Sequence, residues 1–307
     1  MILPTFVIAG APRCGTTSLH YYLRQHPQLC MSAIKEPNHF LFGPDGRPHI
    51  AEAPIIRKSI QKLSAYSALF RPTAATKAIG EASPLYLYTE PTPAQILAVC
   101  GVLQVVCVLR RPADRAWSHF TYATEVPPEK RHARFAELVD AEMRAGPGYE
   151  PYQTRTHLVR LGRYAEQVRR YQQTFGAENL HVLLMEDFNA DRAASLSGIC
   201  GFLGVEDDFA FDLSQRFNPA GIAPSNPFVR RVVRRVTPTI KAVLPNRLAG
   251  RLAEVRMGRA SAASSEPAPA IDPEVARRIA DWCADDVDEL ARLLGRDLSS
   301  WQESPAG

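Results

Sequence analysis

The chain has 307 residues, 46% hydrophobic and 22% charged, an ordinary globular composition that excludes a collagen, a coiled coil or wholesale disorder. No run reaches the roughly 20 apolar residues of a membrane span, and the start MILPTFVIAGAPRCG has no basic stretch ahead of its short apolar run, unlike a secretory signal, so a cytoplasmic protein is expected. The net charge of +4 is local: residues 226–260 hold nine Lys and Arg against the single acid Glu254, a segment of +8 on a remainder of −4, which is a basic patch and not the footprint of a nucleic-acid binder.

FVIAG (6–10) is a β-branched run ending at glycine and predicts a fully buried strand. A helix follows over 15–26, closed by Pro27, then a short strand at 29–32. Residues 41–57 lack a period and predict loop, with a helix near 58–70. AIGEAS (78–83) predicts a strand and 91–100 a short helix. VLQVVCVLR (102–110) is the strongest strand, and 113–124 is helical behind Pro112. Helices are expected at 131–145, 160–175 and 190–203, with a buried strand at 180–187. Residues 260–270 have the composition of a connector, and an acidic amphipathic helix runs over 273–294.

Strands alternating with helices imply βαβ units and a mostly parallel sheet flanked by helices. One domain over 1–307 is expected, with a basic helical lid or insert at about 216–260. The six cysteines form no CxxC pair and have no histidine at zinc spacing. They are expected to be buried small hydrophobes in a reducing compartment, with no metal site.

The sharpest local feature is Gly10-Ala11-Pro12-Arg13-Cys14-Gly15-Thr16-Thr17-Ser18, between a buried strand and a helix. Such a loop aims backbone N–H groups and the helix dipole at an anion. Gly15 admits close approach, and Thr16, Thr17 and Ser18 add hydroxyls. The loop is not a Walker A, because Thr16 stands where that motif needs lysine. Its cation, Arg13, lies inside the loop, which suits a phosphate-like group with a different charge layout and no metal.

The arrangement resembles the 3'-phosphoadenylyl sulfate (PAPS)-dependent sulfotransferases, in the branch of bacterial enzymes and heparan sulfate sulfotransferases. GAPRCGTTSL is similar to their 5'-phosphosulfate loop, and KEPNHFLF (35–42) to their Lys-Glu-x-x-x-Phe segment. VVCVLRRPADRAWSHF (105–120) is similar to their 3'-phosphate motif. The run from 160 to 188 and the ending LLGRDLSSW follow in family order. Two positions depart: Arg13 where many members carry lysine, and Ala82 where heparan-type members carry a lysine that helps on the acceptor side.

The resemblance implies a P-loop NTPase-like three-layer fold and sulfuryl transfer from PAPS, with adenosine 3',5'-bisphosphate as product. The acceptor is expected to offer a hydroxyl, with an amine as second choice, on a small molecule, glycolipid or saccharide. Donor-binding residues are then Arg13, Cys14, Gly15, Thr16, Thr17 and Ser18 in the first loop, and Arg110 with Ser118 at the 3'-phosphate. Arg110 closes a buried strand, at the carboxyl edge where α/β sheets bind ligands, and offers a fork suited to phosphate. Arg111 and Arg115 stand either as further cations or as surface arginines. The resemblance places the catalytic base at Glu36, with Lys35 and Arg13 stabilising sulfuryl and bridging oxygens. His39 is a rival base on the acceptor side, and Glu81 either orients the acceptor or holds a loop.

In FVRRVVRRV (228–236) apolar residues line one helical face and four arginines the other. A lid over the donor site, a solvated face, and a membrane-surface or polyanion dock through 228–259 all fit this pattern. Acceptor contacts are expected from loops at 37–60, 122–158 and 216–260. A kinase-like phosphotransferase and a non-enzymatic binder of adenosine bisphosphate or a polyanion are the alternatives. The missing Walker lysine and the arginine-ended strand, where a Mg²⁺ carboxylate would sit, weigh against the kinase.

Overall fold

The computed structural model describes residues 1–124, 126–146, 152–153, 157–214 and 270–303. The expected lid or insert, its 228–236 helix and nearly all of the 260–270 connector lie outside the described residues.

Five strands form one parallel sheet: β1 (Phe6–Gly10), β2 (Leu29–Met31), β3 (Ala78–Ala82), β4 (Gln104–Leu109) and β5 (Leu180–Leu184), in the order β2-β3-β1-β4-β5. Every residue of β1 is buried, and so are five of the six in β4, as expected of central strands covered on both faces. β1 aligns Phe6 with Gly80 of β3 and Val7 with Val105 of β4. Gly80 is required by close approach: a Cβ there would lie 2.2 Å from the Phe6 ring.

The helices are α1 (Thr16–Leu23), α2 (Ala53–Ile56), α3 (Leu63–Ser67), α4 (Thr92–Cys100), α5 (Pro112–Ala123), α6 (Arg131–Ala145), α7 (Ala165–Phe175), α8 (Met185–Ala190), α9 (Arg192–Phe202) and α10 (Pro273–Leu294). α10 shows how the sequence sets its bounds. Asp272 caps it by accepting from Glu274 and Val275 N–H, Pro273 opens it, and Gly295 ends it at φ 61°. Its buried apolar residues, Val275, Ala276, Ile279, Ala280, Cys283, Val287 and Leu290, repeat at helical spacing. That face packs on α5 and α7.

The expected elements are present with changed ends. The helix near 58–70 is shorter, at Leu63–Ser67, and the 41–57 loop contains the single turn α2. The 160–175 helix is split into a turn at Arg160–Gly162 and α7. Between them Arg163 is extended, because its guanidinium is tied across to α10: both terminal nitrogens reach Asp285 at 2.8 Å, and one also donates to the Trp282 carbonyl. The strand at 180–187 stops at Leu184 and turns into α8. All six cysteines are free thiols, five buried and Cys100 half-buried.

Candidate active site

The chain runs from β1 outward to β2 and back to β3, then crosses to β4 on the other side of β1. The connections after β1 and β4 therefore leave in opposite directions and open a crevice at the carboxyl ends of these neighbours. Such a switch point is where open parallel sheets bind ligands. Loop 10–18 leaves β1 there, and Arg110 leads from β4 into α5 there.

Gly15 precedes α1 at φ 78° and caps it with no side-chain hydrogen bond. A Cβ on Gly15 would stand 3.1 Å from the Met185 sulfur. As at any helix start, the first-turn N–H groups have no acceptor inside the helix. The Cys14 N–H is used within the loop, donating to the Ala11 carbonyl at 3.2 Å. Its thiol is buried 3.8 Å from the Tyr164 hydroxyl, and burial pushes it up to about 11, so it stays protonated. Tyr164 in turn donates to the Arg110 carbonyl at 2.9 Å, linking the two loops from below.

Arg13 joins the two motifs. Its Nε donates to Ser118 Oγ at 3.3 Å, and its guanidinium lies over the Tyr122 ring, 4.1 Å from the centroid. Burial lowers the Arg13 pKa, the Arg110 charge adds to the lowering, and Tyr122 opposes it. Two arginines thus face one crevice beside an anion-seeking helix start, and these residues fit a ligand with two separated anionic groups.

The other motif cations differ in placement. The Arg111 N–H donates to Glu186 Oε1 at 3.3 Å, and its guanidinium donates to the Glu303 carbonyl. Of the two readings of Arg115, the surface arginine is excluded: the side chain is 0% exposed and donates to the Leu158 carbonyl, with His119 Nδ1 at 3.5 Å. The reason is tertiary, since α10 and the turn at 160–162 both pack on α5. Glu142 fixes that turn by accepting from the N–H groups of Leu158, Val159 and Arg160 at 2.6, 2.8 and 2.9 Å.

Lys35 and Glu36 follow β2 at the same sheet edge. Lys35 Nζ donates to Glu36 Oε1. Glu36 has φ 59°, a side chain 51% exposed, and a backbone N–H that donates to the Ala82 carbonyl at 2.9 Å. Desolvation works against its charge. The charge and hydrogen bond of Lys35, with Arg13 and Lys58, outweigh that and hold the carboxyl below its ordinary range.

His39 is half-buried. Its Nδ1–H donates to the Ile60 carbonyl at 2.9 Å, and its ring stacks on Tyr66 at 4.6 Å. Burial lowers its pKa, against that hydrogen bond. Glu81 is 0% exposed and bonded to Tyr66, Ser83 and Tyr86. Of the two roles expected for it, holding a loop matches this placement, because a buried carboxylate does not meet an acceptor.

Tyr122, Tyr164 and Lys58 escaped the sequence reading. Tyr122 had a signal: it lies four residues past Ser118 on one helix and shares its face. Lys58 had none, because a separate loop brings it to Glu36.

Residues 3–216 match the sulfotransferase domain model, and the chain belongs to the sulfotransferase family. Its central parallel sheet flanked by helices is the P-loop NTPase-like fold expected above. It is 24% identical over 217 residues to the bifunctional heparan sulfate N-deacetylase/N-sulfotransferase 2 of Bos taurus, covering 70% of this chain and 24% of that protein. It is 26% identical over 204 residues to the human heparan sulfate glucosamine 3-O-sulfotransferase 3B1, covering 66% of this chain and 47% of that protein. The chain thus spans about a quarter to a half of the length of these curated relatives. The crystal structure of a sulfotransferase from Alicyclobacillus acidocaldarius superposes with a TM-score of 0.69 at 25% identity, over 99% of this chain and 100% of that one. Among the described residues no helix is long and apolar enough to cross a membrane.

Proposed function

We propose that the chain transfers a sulfuryl group from PAPS to a hydroxyl, or secondarily an amine, of a small molecule, glycolipid or saccharide. The observation that carries this is the contact of Arg13 with Ser118, which brings both anion motifs of a sulfotransferase-family chain to one crevice. The donor has two anionic ends, a 5'-phosphosulfate and a 3'-phosphate. Loop 10–18, through the start of α1 and Arg13, suits the first, and Arg110 with Ser118 suits the second.

In the reaction the acceptor oxygen or nitrogen bonds to sulfur while the bond from sulfur to the bridging phosphate oxygen breaks, releasing adenosine 3',5'-bisphosphate. The acceptor proton goes to Glu36. That carboxyl is exposed and held ionised, so it is ready to accept. Lys35 and Arg13 stabilise charge on the sulfuryl and bridging oxygens. His39 is the rival base, although its Nδ1 is committed to Ile60.

The acceptor comes from a panel of a simple phenol, a steroid alcohol, a glycolipid, glucosamine and an N-acetylglucosamine oligomer, each incubated with radiolabelled PAPS. With the acceptor so found, Glu36→Gln lowers kcat about 10²–10⁴-fold, the usual contribution of a general base, and leaves bisphosphate affinity nearly unchanged. A near-normal rate in this variant, with His39→Ala inactive, moves the base to His39.

A further inference from the structure

The two ends of β2 and β3 are joined by a buried polar cluster with one carboxylate at its centre. Glu81 Oε1 accepts from the Tyr66 hydroxyl at 3.2 Å, and Oε2 accepts from Ser83 Oγ at 2.7 Å. The Tyr86 hydroxyl also bonds to this carboxylate. Each of these hydroxyl-bearing residues also touches residues 38–40. Ser83 Oγ accepts from the Asn38 N–H at 3.1 Å. The Tyr86 hydroxyl accepts from the Phe40 N–H at 3.2 Å. The Tyr66 ring stacks on His39 and meets Phe40 edge-on. Asn38 is itself at φ 54°, two residues past Glu36.

We propose that Glu81 is a positioning residue for the Lys35–Glu36 turn: it orients the Ser83 and Tyr86 hydroxyls and, through the Tyr66 hydroxyl, the Tyr66 ring, which together grip residues 38–40, and through them it sets where Glu36 meets the acceptor. The inference rests on Glu36 as the base. A carboxylate only accepts, so it takes three donors without conflict. A protonated acid has a hydrogen of its own to place, and one hydroxyl must then turn away from the cluster. The grip on residues 38–40 therefore depends on the ionisation of Glu81.

The groups facing Glu81 are Lys35 on the turn, Tyr66 on α3, Ser83 and Tyr86 after β3, Cys100 on α4 and Tyr171 on α7. Lys35 is the cation among them. Burial pushes Glu81 up to about 7, against the hydroxyls and Lys35. Glu36 is held below the carboxylate range and His39 below its ordinary value. A fall in kcat as pH drops through about 7 belongs to Glu81 and to neither rival base.

The test uses the full chain as wild type, Glu81→Gln, Glu36→Gln and the double variant. It reads the pH profile of kcat, the Kd of adenosine 3',5'-bisphosphate, and hydrogen–deuterium exchange of the peptide spanning 34–41. Glu81→Gln is expected to lower kcat about 10–10²-fold, the scale of a reacting group displaced by about 1 Å. It leaves the bisphosphate Kd nearly unchanged, speeds exchange at 34–41 and removes the limb near 7. The double variant is no slower than Glu36→Gln alone. Losses that multiply in the double variant, or a limb near 7 that survives Glu81→Gln, overturn the inference. A near-normal rate for Glu36→Gln alone overturns the base assignment instead, so the two failures are distinct. Should Glu81→Gln not fold, Ser83→Ala and Tyr66→Phe remove one donor each. They are expected to give smaller losses in kcat with unchanged Kd, and normal kcat in both also overturns the inference.

Discussion

Arg110→Ala tests the donor site at the residue whose backbone and side chain have separate duties. The backbone carbonyl accepts from Tyr164, and alanine keeps that bond. The half-buried residue follows the carboxyl end of β4, and its charge is near enough to Arg13 to lower the pKa of that guanidinium. Truncation therefore removes a like-charge neighbour from Arg13, and the free protein should be as stable as wild type or slightly more so. Bound donor loses charged hydrogen bonds worth about 1.5–3 kcal/mol, which is about 10- to 150-fold in Kd. Calorimetry with adenosine 3',5'-bisphosphate, with and without EDTA, measures this. EDTA is expected to change nothing, since Thr16 stands where a Walker A has its lysine and β4 leads into Arg110 where a Mg²⁺ carboxylate would sit. An unchanged Kd in Arg110→Ala would falsify the assignment of Arg110 to the 3'-phosphate. An equal loss of folding stability would show that its role is structural.

Gly15→Ala is expected to cost about 1–2 kcal/mol of stability, the penalty for a left-handed residue with a Cβ, because Gly15 has φ 78° and Met185 lies against it; urea titration measures the loss. Tyr122→Ala should weaken bisphosphate binding about two- to five-fold, as expected from losing an exposed cation–π contact of about 0.5–1 kcal/mol. Tyr122→Phe keeps the ring and should bind as wild type, and equal losses in both variants would place the effect on the hydroxyl.

All five strands were legible because each is short and mostly apolar, even β3 with its Glu81, and their alternation with helices implies a parallel sheet. The loop at 10–18 was legible from glycine placement and from its position between strand and helix. What stayed hidden depends on partners far along the chain. Arg115 looks like any helix-surface arginine until α10 and the turn at 160–162 cover it. The break before α7 has only Gly162 as a local signal; what holds Arg163 extended is its reach to Asp285, far along the chain. Glu81 draws its donors from residues 66, 83 and 86, which no local spacing ties together. Side-chain type is written in the sequence, but burial and the choice of partner are decided by packing.

Among the described residues, the non-glycine residues with positive φ are Arg13 at 71°, Glu36 at 59° and Asn38 at 54°. All lie on the two loops that flank the crevice; Arg13 and Glu36 each cost about 1–2 kcal/mol relative to glycine, and Asn38 less, because asparagine adopts this conformation readily. Glycine at position 13 or 36 would relieve the cost, but it would also remove the cation or the base from the site. Strain of this kind persists where surrounding contacts over-determine the backbone. Those contacts are specific here. The Glu36 N–H donates to Ala82, and the Asn38 N–H donates to Ser83, whose own hydroxyl is turned by Glu81. Two such bonds contribute about 1 kcal/mol each, enough to offset much of the strain at Glu36. The sequences KEPNH and EAS, more than forty residues apart, therefore act as one unit. The end of β3 and the residue after it supply the hydrogen bonds that allow the turn after β2 to carry a base in a conformation it would not otherwise hold.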